Sequence, residues 1–181
     1  MKRFMFVFAL LLVVGLSSAL AQSEAEVLVT ATVENELILV NLDGDWGLFS
    51  PGQSYVVSAS GFKEPPGPGE GAGITVDPIG FEVDGNPGSD VQVTMVLPAA
   101  FTSDDENGNL PLSNWTYGWN YDNDPSVAFS QAGNVTGSAV TLSIGGGAAS
   151  GLFLGATVTI PTSAFAGGYT AQIIGSATYV Q

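Results

Sequence analysis

The chain has no cysteine and no histidine. Without Cys there is no disulfide framework and no thiol nucleophile. Without His there is no Ser-His or Cys-His pair, and no zinc site of the usual ligand types. Cations are almost as scarce: 3 Lys+Arg stand against 17 Asp+Glu, a formal net charge of −14. Phosphate backbones and anionic lipid surfaces both require clustered Lys and Arg, so nucleic acid and anionic membranes are excluded as partners. Also missing are any useful stripe of helical period and, beyond the first residues, any apolar run long enough to cross a membrane.

What is present begins with residues 1–21, which read as a cleavable secretory signal. Lys2 and Arg3 form a positive start, residues 4–16 are apolar except for Gly15, and Ser18-Ala19-Leu20-Ala21 offers a cut after Ala21. The expected location is secreted, extracellular or at the cell surface, with no membrane insertion after cleavage. No Cys stands at the cut to take a lipid anchor. Once the leader is removed, Lys63 is the only cation facing the 17 acids, a formal charge of −16. Such charge favours solubility outside the cell. Schiff-base chemistry would rest on Lys63 alone, whose Pro/Gly-rich loop is expected not to bury it. Residues 22–181 are long enough for one core without disulfides and are expected to form a single domain.

The first mature stretch sets the pattern. Ala25, Val27, Val29, Ala31 and Val33 alternate with Glu24, Glu26, Thr30, Thr32 and Glu34, with Leu28 the one apolar intruder. Successive side chains of a strand point to opposite faces, so residues 25–34 are expected to form a strand with one apolar side. Leu37-Ile38-Leu39-Val40 reads as a fully buried strand, and Tyr55-Val56-Val57-Ser58-Ala59 as the next. Residues 62–71 read as a loop, and Ile74-Thr75-Val76 as the start of a second sheet region. Ile79, Phe81 and Val83, then the turn Asp84-Gly85-Asn86-Pro87-Gly88, then Val91, Val93, Met95 and Leu97 read as a hairpin. Residues 99–114 read as loop. Trp115, Tyr117, Trp119 and Tyr121 share one face of a strand. Further strands are expected around Val140, Leu142 and Ile144, from Leu152 to Ile160, and at the end, where Tyr169, Ala171, Ile173, Ala177 and Tyr179 share a face. Short strands, turn signals and no helices predict an all-β antiparallel sandwich.

Three groups of motifs carry a resemblance. Gly155-Ala156-Thr157-Val158-Thr159-Ile160-Pro161 is followed by Gly167-Gly168-Tyr169-Thr170 and an alternating tail. Phe81, Val83, Gly85, Pro87, Gly88, Val91 and Val93 form a middle motif. Ala31-Thr32-Val33 and Gly47, Phe49, Pro51 and Gly52 stand near the start. The chain resembles a family of uncharacterised secreted bacterial β-sandwich domains, over nearly its whole mature length. It departs from that family at Asp45-Trp46-Gly47 and at Ala171, where the family has Leu-Asp-Phe-Gly and a second Gly. The resemblance implies an immunoglobulin-like sandwich similar to fimbrial subunits. Separately, residues 29–34 resemble the N-terminal segment of chaperone-assembled pilins, a donor strand that enters the next subunit.

Two functions follow as expectations. The first is a structural surface protein, a pilin-like subunit that forms a homo-oligomer or fibre by strand exchange. Its subunit-binding residues would be Val27, Val29, Ala31 and Val33. The alternative is a monomeric extracellular carbohydrate-binding module, with Trp115, Tyr117, Trp119 and Tyr121 as a stacking platform for a glycan; aromatic strand faces are more often core. The acidic stretches 104–109 and 122–124, and Asp43 with Asp45, lack the full spacing of an EF-hand calcium loop. No pair of acids is marked for glycoside hydrolysis. The expectation is therefore no enzyme, no cofactor and no metal. Asn114-x-Thr116 and Asn134-x-Thr136 are glycosylation sequons by pattern.

Overall fold

A computed structural model describes residues 36–105, 108–146 and 149–180. The expected donor strand, including Val27, Val29, Ala31 and Val33, and the signal segment lie outside these residues. Among those described, the chain is all-β, without helix, and every strand pairing is antiparallel.

Among the described residues, twelve strands form two sheets. The large sheet contains β1 (Ile38–Leu42), β2 (Ser54–Val57), β3 (Lys63–Glu64), β4 (Ile79–Asp84), β6 (Ala100–Ser103), β7 (Asn109–Asn120), β8 (Gln131–Asn134), β10 (Ser150–Thr159) and β11 (Tyr169–Thr170). The small sheet runs β12 (Ile174–Tyr179), β5 (Asp90–Val96), β9 (Ala139–Ser143).

The longest partnership joins β7 and β10. Leu154 stands opposite Tyr117 and Val158 opposite Leu112, with a bulge between Gly155 and Thr157. On its other edge β10 pairs first with β4 (Leu152 opposite Phe81) and then with β2 (Val158 opposite Tyr55). A bulge bends a strand and raises its twist, and here the two halves of β10 serve two different cores. Leu152 and Leu154 join Phe81, Val83 and Trp119 of the large sheet and Val91, Val93, Met95 and Leu142 of the small one. Ala156 and Val158 join Tyr55, Val57, Leu110, Leu112, Ile160 and the loop residue Trp46. The first core is therefore shared by two facing sheets, whereas the second is roofed by loops.

Several expectations are corrected. The 84–88 turn does not close a hairpin. β4 lies in the large sheet and β5 in the small one, so the turn crosses between sheets. Both strands still point their apolar residues into the shared core, which is why the alternation looked like a hairpin. The last stretch divides likewise: β11 pairs with β6, and β12 pairs with β5. The Leu37–Val40 run is not fully buried. It lies in β1 at the edge of the sheet, with Ile38 and Val40 exposed. Residues 99–114 hold β6 and the first half of β7, which form the hairpin that the sequence did not signal. Thr75 makes only an isolated bridge to Phe62.

Gly155 shows how tightly the bulge is fitted. A Cβ there would stand 2.3 Å from the Val57 carbonyl oxygen and 2.6 Å from the Ala59 nitrogen. Backbone, not a mobile side chain, fills the space. Gly155→Ala is expected to destabilise the fold by about 1–3 kcal/mol, measurable by urea unfolding. A cost near zero would show that β2 can move away freely.

Candidate cleft between the strand edges

The roof of the second core leaves a cleft of about 1160 Å³. Leu110, Leu112, Trp115 and Ile160 form its floor. Residues 45–49 make one wall and residues 164–169 the other, and it runs on to Leu42, Ile79, Phe81 and Ile173. Trp46 stands edge-on to Phe101, with ring centroids 5.5 Å apart, and tilted against Trp115 at 6.3 Å. Apart from Asp45 in the first wall and Asp43 just before it, the lining carries no charge.

Two sheet edges border this cleft. β1 pairs with β4 on one side, and β12 pairs with β5 on one side. Among the described residues no strand takes the other edge of either. The two edges meet at one end, where Leu37 and Tyr179 both pack over Gly85 and the Tyr179 hydroxyl accepts from the Asn86 N–H at 2.8 Å. At the other end the cleft lies between them, with Asn41 and Leu42 on one side and Gln172 and Ile173 on the other. The edges thus form a wedge opening onto an apolar floor. Unpaired main-chain groups beside apolar surface are what an added strand needs.

The first wall is held by the residue expected to be solvent-exposed. Lys63 is completely buried. Its ammonium donates to the carbonyls of Trp46 and Leu48, each at 3.0 Å, and to Glu70 Oε1 at 2.8 Å. Glu70 Oε2 lies 2.7 Å away, and the Phe49 ring centroid 5.0 Å away. All three ammonium protons are used. Glu70 in turn accepts from the N–H groups of Gly67 and Leu48. Gly47, at φ +71°, completes the enclosure: a Cβ there would stand 2.9 Å from Glu70 Oε1 and 3.2 Å from Lys63 Nζ. One buried ion pair therefore pins residues 46–48 to β3 and to the 67–70 turn. Composition held a signal, since the one cation beyond Arg3 had many acids to choose among, but nothing in the spacing marked Glu70.

The aromatic strand is placed differently from a stacking platform. Trp119 is buried in the shared core and donates its indole N–H to the Ser143 carbonyl at 3.0 Å. Trp115 and Tyr117 are half-buried and pack on the same core. Of the four, only Tyr121 is exposed. The alternation was legible, but the shared face points inward, so these rings are spent on packing and offer no common exposed surface. Among the described residues no three acidic side chains converge on a metal-binding point. Asp45 accepts from the Gly47 N–H and Asp124 from Ser126, as turn acids do. Comparison with known proteins finds no matching family model and no similar curated protein.

Burial alone would raise the Glu70 carboxyl. The Lys63 hydrogen bond, the Gly67 and Leu48 N–H groups and the Lys63 charge outweigh it, and the carboxyl titrates below the usual glutamate range. A lowered carboxyl adds stability that is complete above its unfolded value and is lost as pH falls through the folded one. Stability is therefore expected to fall below about pH 4, and the acid-side fall in a Glu70→Gln variant should be shallower. Lys63→Met leaves Glu70 without its partner and is expected to cost about 3–5 kcal/mol. Lys63→Met with Glu70→Leu should recover part of that loss. Denaturant unfolding of the three variants checks both statements.

Proposed function

We propose that this chain is a secreted structural subunit that assembles by β-strand complementation, residues 25–34 of one copy entering the wedge between β1 and β12 of the next. The observation that carries the reading is the pair of edges, left without a partner strand among the described residues, that diverge over an apolar floor. Two facing sheets around a common core support the finer reading of an immunoglobulin-like sandwich. The leader-like first 21 residues and the acidic mature chain support a place outside the cell, at its surface.

The energetics fit small apolar side chains and main-chain pairing. Each Val of the donor stretch is worth roughly 1.5–3 kcal/mol when fully buried, an upper estimate. Ladder hydrogen bonds to the two edges add direction and register. Charge gives no attraction, because the mature copies are both strongly acidic and the donor stretch carries Glu26 and Glu34. Added salt should therefore strengthen assembly by screening the repulsion, the reverse of an interface built on ion pairs.

The test is the size of the mature protein in solution, by light scattering and negative-stain microscopy, beside Val29→Asp. The unaltered chain is expected to give oligomers or fibres that grow with salt between about 0.05 and 0.5 M. Val29→Asp should shift it to monomer without lowering its unfolding midpoint. A monomer at all concentrations, or oligomers unchanged by Val29→Asp, overturns the reading.

A further inference from the structure

On the outer face of the large sheet, away from the cleft, strand register brings two oxygen-bearing side chains beside one glycine, and a turn brings a third. Gly151 of β10 stands opposite Glu82 of β4 on one side and Asn120 of β7 on the other. Cross-strand partners share a face, so Glu82 and Asn120 flank a position with no side chain. Asn123 reaches the same place from the turn after β7. Its Oδ1 lies 2.8 Å from where a Gly151 Cβ would be, and its Nδ2 donates to Glu82 Oε2 at 2.6 Å. The Phe153 ring covers the glycine itself, its Cε2 2.5 Å and its Cζ 2.6 Å from that Cβ position, so the oxygens gather beside the ring.

The amide oxygens have no donor. Asn120 is almost completely buried, at 1% exposure, and its Nδ2 is committed to the Asp124 carbonyl. Its Oδ1 and the Asn123 Oδ1 are both buried without a hydrogen-bond partner. Buried acceptors are satisfied as a rule, so a pair of them beside a carboxylate asks what they face. Among the described residues no side-chain ammonium can serve, because the one they hold, Lys63, is enclosed by Glu70 and two carbonyls in a different core region. The nearby Asp124 carboxylate accepts from both the N–H and the hydroxyl of Ser126.

We propose that Glu82, Asn120 and Asn123 form a calcium site on this face. One carboxylate and two amide oxygens are hard, mostly neutral ligands of the kind Ca²⁺ accepts in flexible geometry, with water completing its shell. Mg²⁺ holds its water more firmly and demands a stricter octahedron. With a single carboxylate the site belongs at the weak end of calcium sites, with Kd about 0.1–1 mM. The site ties β4, β7 and the 121–124 turn together, so its occupation raises stability.

The test uses the full mature chain with Glu82→Gln, Asn120→Asp and, as a control in another acidic loop, Asp104→Asn. Calcium is titrated at constant ionic strength by calorimetry, with the thermal midpoint followed in parallel. The unaltered chain and Asp104→Asn should bind saturably and gain midpoint, while Glu82→Gln should bind at least about ten-fold more weakly. Asn120→Asp places a second carboxylate at the unpartnered oxygen. It should be less stable than the unaltered chain in chelator and bind calcium at least about ten-fold more tightly. The proposal is overturned if calcium raises the midpoint no more than sodium does. It is equally overturned if Glu82→Gln binds as the unaltered chain does, which would assign the ions to the general acidic surface. Should Glu82→Gln fail to fold, Asn120→Asp decides: destabilisation without rescue by calcium refutes the site.

Discussion

One strand carries the architecture. β10 is hydrogen-bonded along both edges, to β7 throughout and to β4 and then β2 on the other side. The bulge at Gly155–Thr157 turns its second half away from its first. The first half then lies under a second sheet, which closes the core with Val91, Val93 and Met95. The second half has no such cover. Its core is roofed by the Trp46 loop and by residues 164–169, and a roof of loops leaves a cleft where a sheet would leave none. The candidate site is thus a consequence of how the main sheet bends.

A loop wall must be held by something other than a ladder. Here the chain uses Lys63, its one cation beyond Arg3, taken out of water and enclosed by two carbonyls, a carboxylate and an aromatic ring. Taking an ammonium out of water is costly, and only complete pairing offsets it. The result is a wall whose position depends on ionic geometry beside a cleft that is itself apolar. That division is compatible with the proposed entry of an apolar strand: the buried pair shapes the wall and stays out of the cleft.

How far the sequence revealed this varied by residue. Alternation located β4, β5 and β12, because each turns one apolar face to a core, and it also found β10, although both faces of that strand are buried. It could not say which sheet each strand joins. Phe81-x-Val83 and Val91-x-Val93 look the same whether the turn between them closes a hairpin or crosses a core. β8 (Gln131–Asn134) was silent because all four residues are exposed and carry no pattern. Trp115, Tyr117 and Trp119 were rightly placed on one face, but only packing decides whether that face looks in or out. Lys63 was misjudged from its prolines and glycines. These residues forbid regular structure, but they do not forbid burial, and Gly47 and Gly67 are what allow the loops to close on the ammonium.

The claim that residues 25–34 fill the wedge of a neighbour can be measured directly because the chain has no cysteine. Two single variants, Val29→Cys in the donor stretch and Ile173→Cys at the cleft, are mixed under mild oxidation and analysed by non-reducing electrophoresis and mass spectrometry. Strand complementation between copies predicts a disulfide joining Val29→Cys of one chain to Ile173→Cys of another, forming only in the mixture. If no mixed dimer appears, and the cross-link forms only within single chains of the double variant, the strand completes its own subunit and the account of assembly is wrong.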